Sequence, residues 1–221
     1  MPAESSALFG YDALAATATA ALWFGYHLWL RLKLRDNPSY TTQAINARAR
    51  AAWVTHMMSK PGLEITAVQT MRNSIMSAVF IGTSSAFLIL GILSLSSQQH
   101  SATTVWNALN VFGTTSPELW FMKLFLLLVD FLVSFFCALQ SIRVTNHAGY
   151  LIAVPASVHD SQSTPEYVTR LVNRAAEYKS IAIRAYFLAI PLVFWLFGPH
   201  FMLAAAAVVI ALLYRFDRAR E

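Results

Sequence analysis

The chain has 221 residues, 57% of them hydrophobic and 12% charged, with a mean hydropathy of +0.50 and a formal net charge of +5. A soluble domain of this length carries about twice that charged fraction, so the composition argues against an ordinary water-soluble globule and for one integral membrane domain. A single cysteine, Cys137, excludes an internal disulfide and any Cys-based metal motif.

Residues 1–10 hold no basic side chain, so a cleaved secretory signal is not expected there. The first predicted span covers about 11–32 and stops among Arg31, Lys33 and Arg35. Asn37-Pro38-Ser39 punctuates the chain. Residues 42–59 then read as an amphipathic helix with Ile45, Ala49, Ala52, Trp53 and His56 on one face, suited to the headgroup level or to docking on a bundle. Lys60-Pro61-Gly62 ends it, and Leu63–Arg72 leads into a second span at about 73–95. The third span, 119–140, reads LWFMKLFLLLVDFLVSFFCALQ. It has the length of roughly 20 residues that a crossing requires, with Lys123 near its start and Asp130 near its middle. A carboxylate at that depth must face protein or water rather than lipid.

After this span, Pro155 and the polar run His159–Thr164 make a loop. Ser163 with Glu166 three residues on forms a capping box, with Pro165 in the first turn of a helix over 164–181. That helix carries Val168, Leu171, Val172 and Ala175 on one face. The apolar region Ala185–Tyr214 is too long for one crossing and is broken by Gly198-Pro199-His200. It divides into spans at about 182–197 and 199–214. The expected fold is thus all-α: a polytopic bundle of about five spans with amphipathic cytoplasmic helices at 42–59 and 164–181.

Charge supports five spans. With the N-terminus outside, the outer segments 1–10, 96–118 and 198–200 contain no Lys or Arg, and every basic residue except Lys123 falls inside. This positive-inside pattern predicts the cell (inner) membrane, an outer N-terminus and a cytoplasmic C-terminus. It also explains the net positive charge as contact with anionic lipid headgroups instead of nucleic acid, for which there is no basic-aromatic groove signature.

Hydrophobicity cannot draw helices together within lipid, so close packing must. Ala13, Thr17, Ala21 and Gly25 form a small-residue stripe in the first span, and Ser74, Ala78, Gly82 and Ala86 form one in the second. These stripes predict packing of the first two spans on each other, or of one stripe on a second subunit. The Phe- and Leu-rich third span is suited to filling grooves.

Two polar groups are candidates for chemistry. Asp130 shares a helix face with Lys123 two turns earlier. Ser84 and its neighbours Thr83 and Ser85 are possible partners for it. The group reads either as a proton or ion step or as an interior hydrogen-bond anchor. The second group lies near the inner surface: Tyr26 and His27, Arg72 and Asn73, and Arg143, Asn146 and His147. Lipid phosphate or helix-end carbonyls suit its basic members. Its histidines, His27 and His147, leave a metal or haem open, but no HExxH or close His pair supports either, and no cofactor or metal site is assigned. No Walker loop, GxSxG elbow or dinucleotide fingerprint is present, and no catalytic residues are assigned.

Trp53 with Met57, Val68-Gln69, Arg72-Asn73 with Met76, Lys123, Asn146-His147, Pro191, and Trp195 followed by Phe197-Gly198-Pro199 give the chain its resemblance to DUF599. That is a multi-pass membrane family of bacteria and plants, a domain of unknown function. The resemblance spreads over most of the chain and implies a membrane location but no reaction. The function expected is a non-catalytic subunit that assembles with itself or with other membrane subunits. The alternatives are a homo-oligomeric channel or transporter built on Asp130 and Lys123, and a metal- or haem-binding membrane protein.

Overall fold

The computed structural model describes residues 2–97, 113, 116–154 and 164–219, with side chains from residue 9 onward. Among these residues the chain forms six α-helices and no strand: α1 (Pro2–Asp36), α2 (Thr42–Ser59), α3 (Glu64–Ser97), α4 (Pro117–Ile152), α5 (Pro165–Phe194) and α6 (Pro199–Asp217). Local chemistry sets their starts. Thr41, Ser116 and Thr164 each accept a backbone N–H of the first turn, and Pro117 and Pro165 occupy the turn where no N–H is needed. The cap of α5 is Thr164, one residue after the expected Ser163, which lies outside the described residues. Gly198 turns the chain between α5 and α6 at φ 143°, a conformation that L side chains rarely adopt.

α3, α4 and α6 are long and apolar enough to cross a membrane. The five-span expectation also included α1 and the apolar half of α5. Those two also place polar groups, among them Asp12, Tyr26 and Arg184, on the faces that pack inward. Large apolar side chains crowd the outside of the bundle; Phe80 is 75% exposed and Phe87 69%. Such a continuous apolar surface suits hydrocarbon and not water.

The helices pack in the order α3, α4, α5, α6, α1, with α2 lying across one end against α5. The α4–α5 contact is the most extensive. It is built on a stripe the Phe-rich sequence hides: Ser134, Ala138, Ser141 and Thr145 are all buried on α4, as are Ala175, Ala182, Ala185 and Ala189 on α5. Ser134 donates to the Ala182 carbonyl at 3.1 Å and Ser141 to the Ala175 carbonyl at 2.8 Å. Small residues let the backbones approach, and the hydroxyls then reach across.

The α3 stripe packs on this same helix. A Cβ at Gly82 would stand 3.5 Å from that of Ala138, and Ala78 and Ser85 are fully buried. The expected pairing of α1 with α3 is therefore corrected: α3 lies on α4, and α1 lies on α6. The reason is visible on α1. Its buried residues are Asp12, Ala15, Thr19, Tyr26 and Leu30, whereas Ala13, Thr17, Ala21 and Gly25 are exposed. At the α2 end, Thr41 bridges to Arg218, and the Ala219 N–H donates to the Tyr40 carbonyl at 3.0 Å.

Candidate functional site

Lys123 of α4 is 3% exposed and Asp12 of α1 is 1% exposed. Their charged atoms, Nζ and Oδ1, lie 3.1 Å apart. Trp195, at the end of α5, completes the site twice over: its indole Nε1 donates to the same Asp12 oxygen at 2.7 Å, and its carbonyl accepts from Lys123 at 3.1 Å. The ammonium also stands 5.2 Å from the Trp195 ring. That carbonyl is within reach because α5 ends here and the chain turns at Gly198. Three helices are thus joined by a desolvated ion pair. The attraction in such a pair is largely offset by the loss of hydration, but losing one partner strands the other.

Lys123 therefore pairs with Asp12, not with Asp130. Sequence reasoning left Asp12 aside. The available signal was depth: Asp12 and Lys123 are opposite charges near the same end of two predicted spans.

Asp130 is buried at 8% exposure, and its Oδ2 has no hydrogen-bond partner among the described residues. The serines expected nearby bond elsewhere. Ser84 donates to the Phe80 carbonyl of its own helix at 2.7 Å. Ser85 lies 3.0 Å from the Ser134 hydroxyl and 3.2 Å from that of Tyr186, which in turn donates to the Ile81 carbonyl at 3.1 Å. Thr83 is exposed.

The inner cluster divides. Tyr26 and His27 join two residues that sequence reasoning missed, Arg184 of α5 and Asp217 of α6. Arg184 donates to both Asp217 oxygens at 2.8 and 2.9 Å, and Tyr26 donates to Asp217 at 2.8 Å. His27 Nε2 lies 3.0 Å from Arg184 Nη1. A guanidinium cannot accept, so Nε2 is the acceptor and Nδ1 carries the proton toward the Trp23 carbonyl at 2.8 Å. By contrast, Arg72, Asn73, Arg143, Asn146 and His147 are all exposed on α3 and α4 and do not enter this network. Among the described residues, no group of three or more His, Cys, Asp or Glu side chains is placed to hold a metal ion.

A family model described as "Protein of unknown function, DUF599" matches residues 14–221. The chain belongs to this family. No curated protein and no solved structure matches it.

In this DUF599 protein, several residues that carried the resemblance converge at one end of the bundle. Lys123, Trp195 and Gly198 form the ion-pair site and its turn, and Pro191 places its carbonyl under the Trp195 N–H at 2.9 Å. At the other end Trp53 and Met57 pack against the buried Val54, Ala67, Met71, Ala148, Ile152 and Val168, which seats α2 on the bundle. These motif residues therefore hold helices in place, and no acid–base or nucleophilic pair stands among them.

Proposed function

We propose that this DUF599 protein is an integral membrane protein with a non-catalytic role, a subunit that assembles with copies of itself or with other membrane subunits. One observation carries this reading: the face of α1 bearing Ala13, Thr17, Ala21 and Gly25 is left open. Among the described residues, no heavy atom beyond the helix itself lies within 4 Å of the place a Gly25 Cβ would occupy. Thr17 turns its hydroxyl back to the carbonyls of Ala13 and Leu14, so the face is smooth. Within a bilayer such a face gains more from a second helix than from lipid chains. The helix carrying it is anchored at both ends, by Asp12 and by Tyr26. We place the protein in the cell membrane with the N-terminus outside, because Lys33, Arg215 and Arg218 gather at the α2 end.

Mass measurement after mild-detergent extraction tests assembly. An oligomer or a defined partner is expected; a strict monomer that captures no partner overturns the reading. A tag at the C-terminus that is reached from outside the cell overturns the orientation.

A second reading, proton or ion passage, is favoured by the Oδ2 of Asp130, which has no partner among the described residues. Flux into liposomes that is lost in Asp130→Asn would establish it, and silence across ions and pH would remove it.

A further inference from the structure

Arg50 of α2 and Lys179 of α5 line two adjoining clefts, of about 410 Å³ and 390 Å³, which also share Asn46 and Ala176. Both cations are half-buried, and neither forms an ion pair among the described residues. Arg50 donates through Nε to Asn173 at 2.7 Å, which fixes the guanidinium and leaves both Nη groups without an acceptor among the described residues. Lys179 reaches from α5 to α3, donating to Ser74 at 3.0 Å and Ser77 at 3.2 Å; one ammonium proton remains. The smaller cleft has no carboxylate in its lining, and the one in the larger cleft, Asp217, is bound by Arg184. Burial holds Lys179 below the ordinary lysine value, and the nearby Arg50 charge lowers it further; burial lowers Arg50 too, against the smaller opposing pull of the Glu177 carboxylate.

Two fixed, partly desolvated cations with spare donors, with Glu177 felt by Arg50 through space but forming no ion pair with it, make a site for an anion with several oxygens. We propose that this cleft binds the phosphate head of an anionic membrane lipid, with Arg50 and Lys179 on the phosphate and Trp53 and Met71 against the apolar part. The lipid source follows from place and lining. Lys179 stands just before the apolar half of α5, and Ser74 at the very start of the second predicted span, which is headgroup depth. Apolar surface dominates the smaller cleft, where Trp53, Met71 and Val172 form one wall; a free phosphate would have no use for it. The inference rests on the membrane placement proposed above, but not on assembly.

Native mass spectrometry of the full chain, delipidated in mild detergent, tests the site with phosphatidylglycerol, phosphatidylcholine and inorganic phosphate. Retention of one phosphatidylglycerol per chain is expected, with neither other probe retained. Arg50→Gln and Lys179→Gln should each weaken it by at least about tenfold; exposed Arg72→Gln should not, and Lys179→Arg should keep it. Equal retention of phosphatidylcholine, binding of phosphate alone, or unchanged lipid binding in the double variant overturns the proposal. Thermal melting of lipid-free protein guards against misfolding: Lys179→Gln should melt no lower than the parent. A large drop, together with loss of binding in Lys179→Arg, would make Lys179 a strut between α3 and α5 and likewise overturn it. The same spectra separate the two readings, since a lipid-bound monomer defeats assembly alone and a lipid-free oligomer defeats this site alone.

Discussion

Asp12 and Lys123 neutralise each other at 3.1 Å, at the point where α1, α4 and the end of α5 meet. Because the pair is fully desolvated, the two halves of it are worth most as a unit. Asp12→Ala should destabilise the protein by about 3–5 kcal/mol through the stranded ammonium. Asp12→Asn with Lys123→Met should recover most of that loss. Thermal melting in detergent reads both, and a single variant as stable as the parent would contradict the lock.

Asp130 behaves oppositely. Its Oδ2 bonds to nothing among the described residues, so an amide in its place removes a costly buried charge and breaks no observed contact at that atom. Asp130→Asn should melt at or above the parent temperature. A collapse of the fold would show that this carboxylate holds the bundle together.

Two glycines of similar appearance in the sequence should respond differently to leucine. Gly82 faces Ala138 across the α3–α4 contact, where a Cβ already touches at 3.5 Å. Gly82→Leu overfills that contact at a cost of about 1–3 kcal/mol or more. Gly25→Leu enters open space and should leave melting unchanged while reducing the oligomer seen by mass. If Gly25→Leu unfolds the chain, the α1 face is not free.

The lowered proton affinity of Lys179 gives a pH dependence. Unfolded, this lysine titrates at its ordinary value of 10.5; folded, below it. Between the two, the unfolded chain holds the extra proton, so stability of the lipid-free protein should rise with pH through that window. The groups around it are Arg50 from α2, Ser74 and Ser77 from α3, and Thr145 from α4. Lys179→Met should flatten the rise, as read by denaturation midpoints across alkaline pH. Bound anionic lipid should flatten it too, by restoring the charged form.

The helices were legible because each carries its own signals: apolar length, a capping Thr or Ser, Pro165, and the Gly198 turn. Helix pairing was not. Small-residue spacing marked Ala13–Gly25 and Ser74–Ala86 equally, yet the first face is open and the second meets α4. The decisive stripe on α4 mixes Ser134, Ala138, Ser141 and Thr145 among phenylalanines and so was masked by its neighbours. Tyr26 and His27 were recognised as polar groups at the inner end, but their partners Arg184 and Asp217 come from helices far along the chain, which local pattern cannot connect. Arg72, Asn73, Arg143, Asn146 and His147 match them in depth but not in helix face, and depth alone does not place side chains together.

The pairing of α1 with α6 sets an order of events during synthesis. α1 is made well before α6, the helix it docks on. Until α6 has been made, Tyr26 has no Asp217 to meet and most of the inward face of α1 has no neighbour. The bundle therefore closes in one late step, and a nascent chain that stalls before α6 would leave α1 without the helix it packs on.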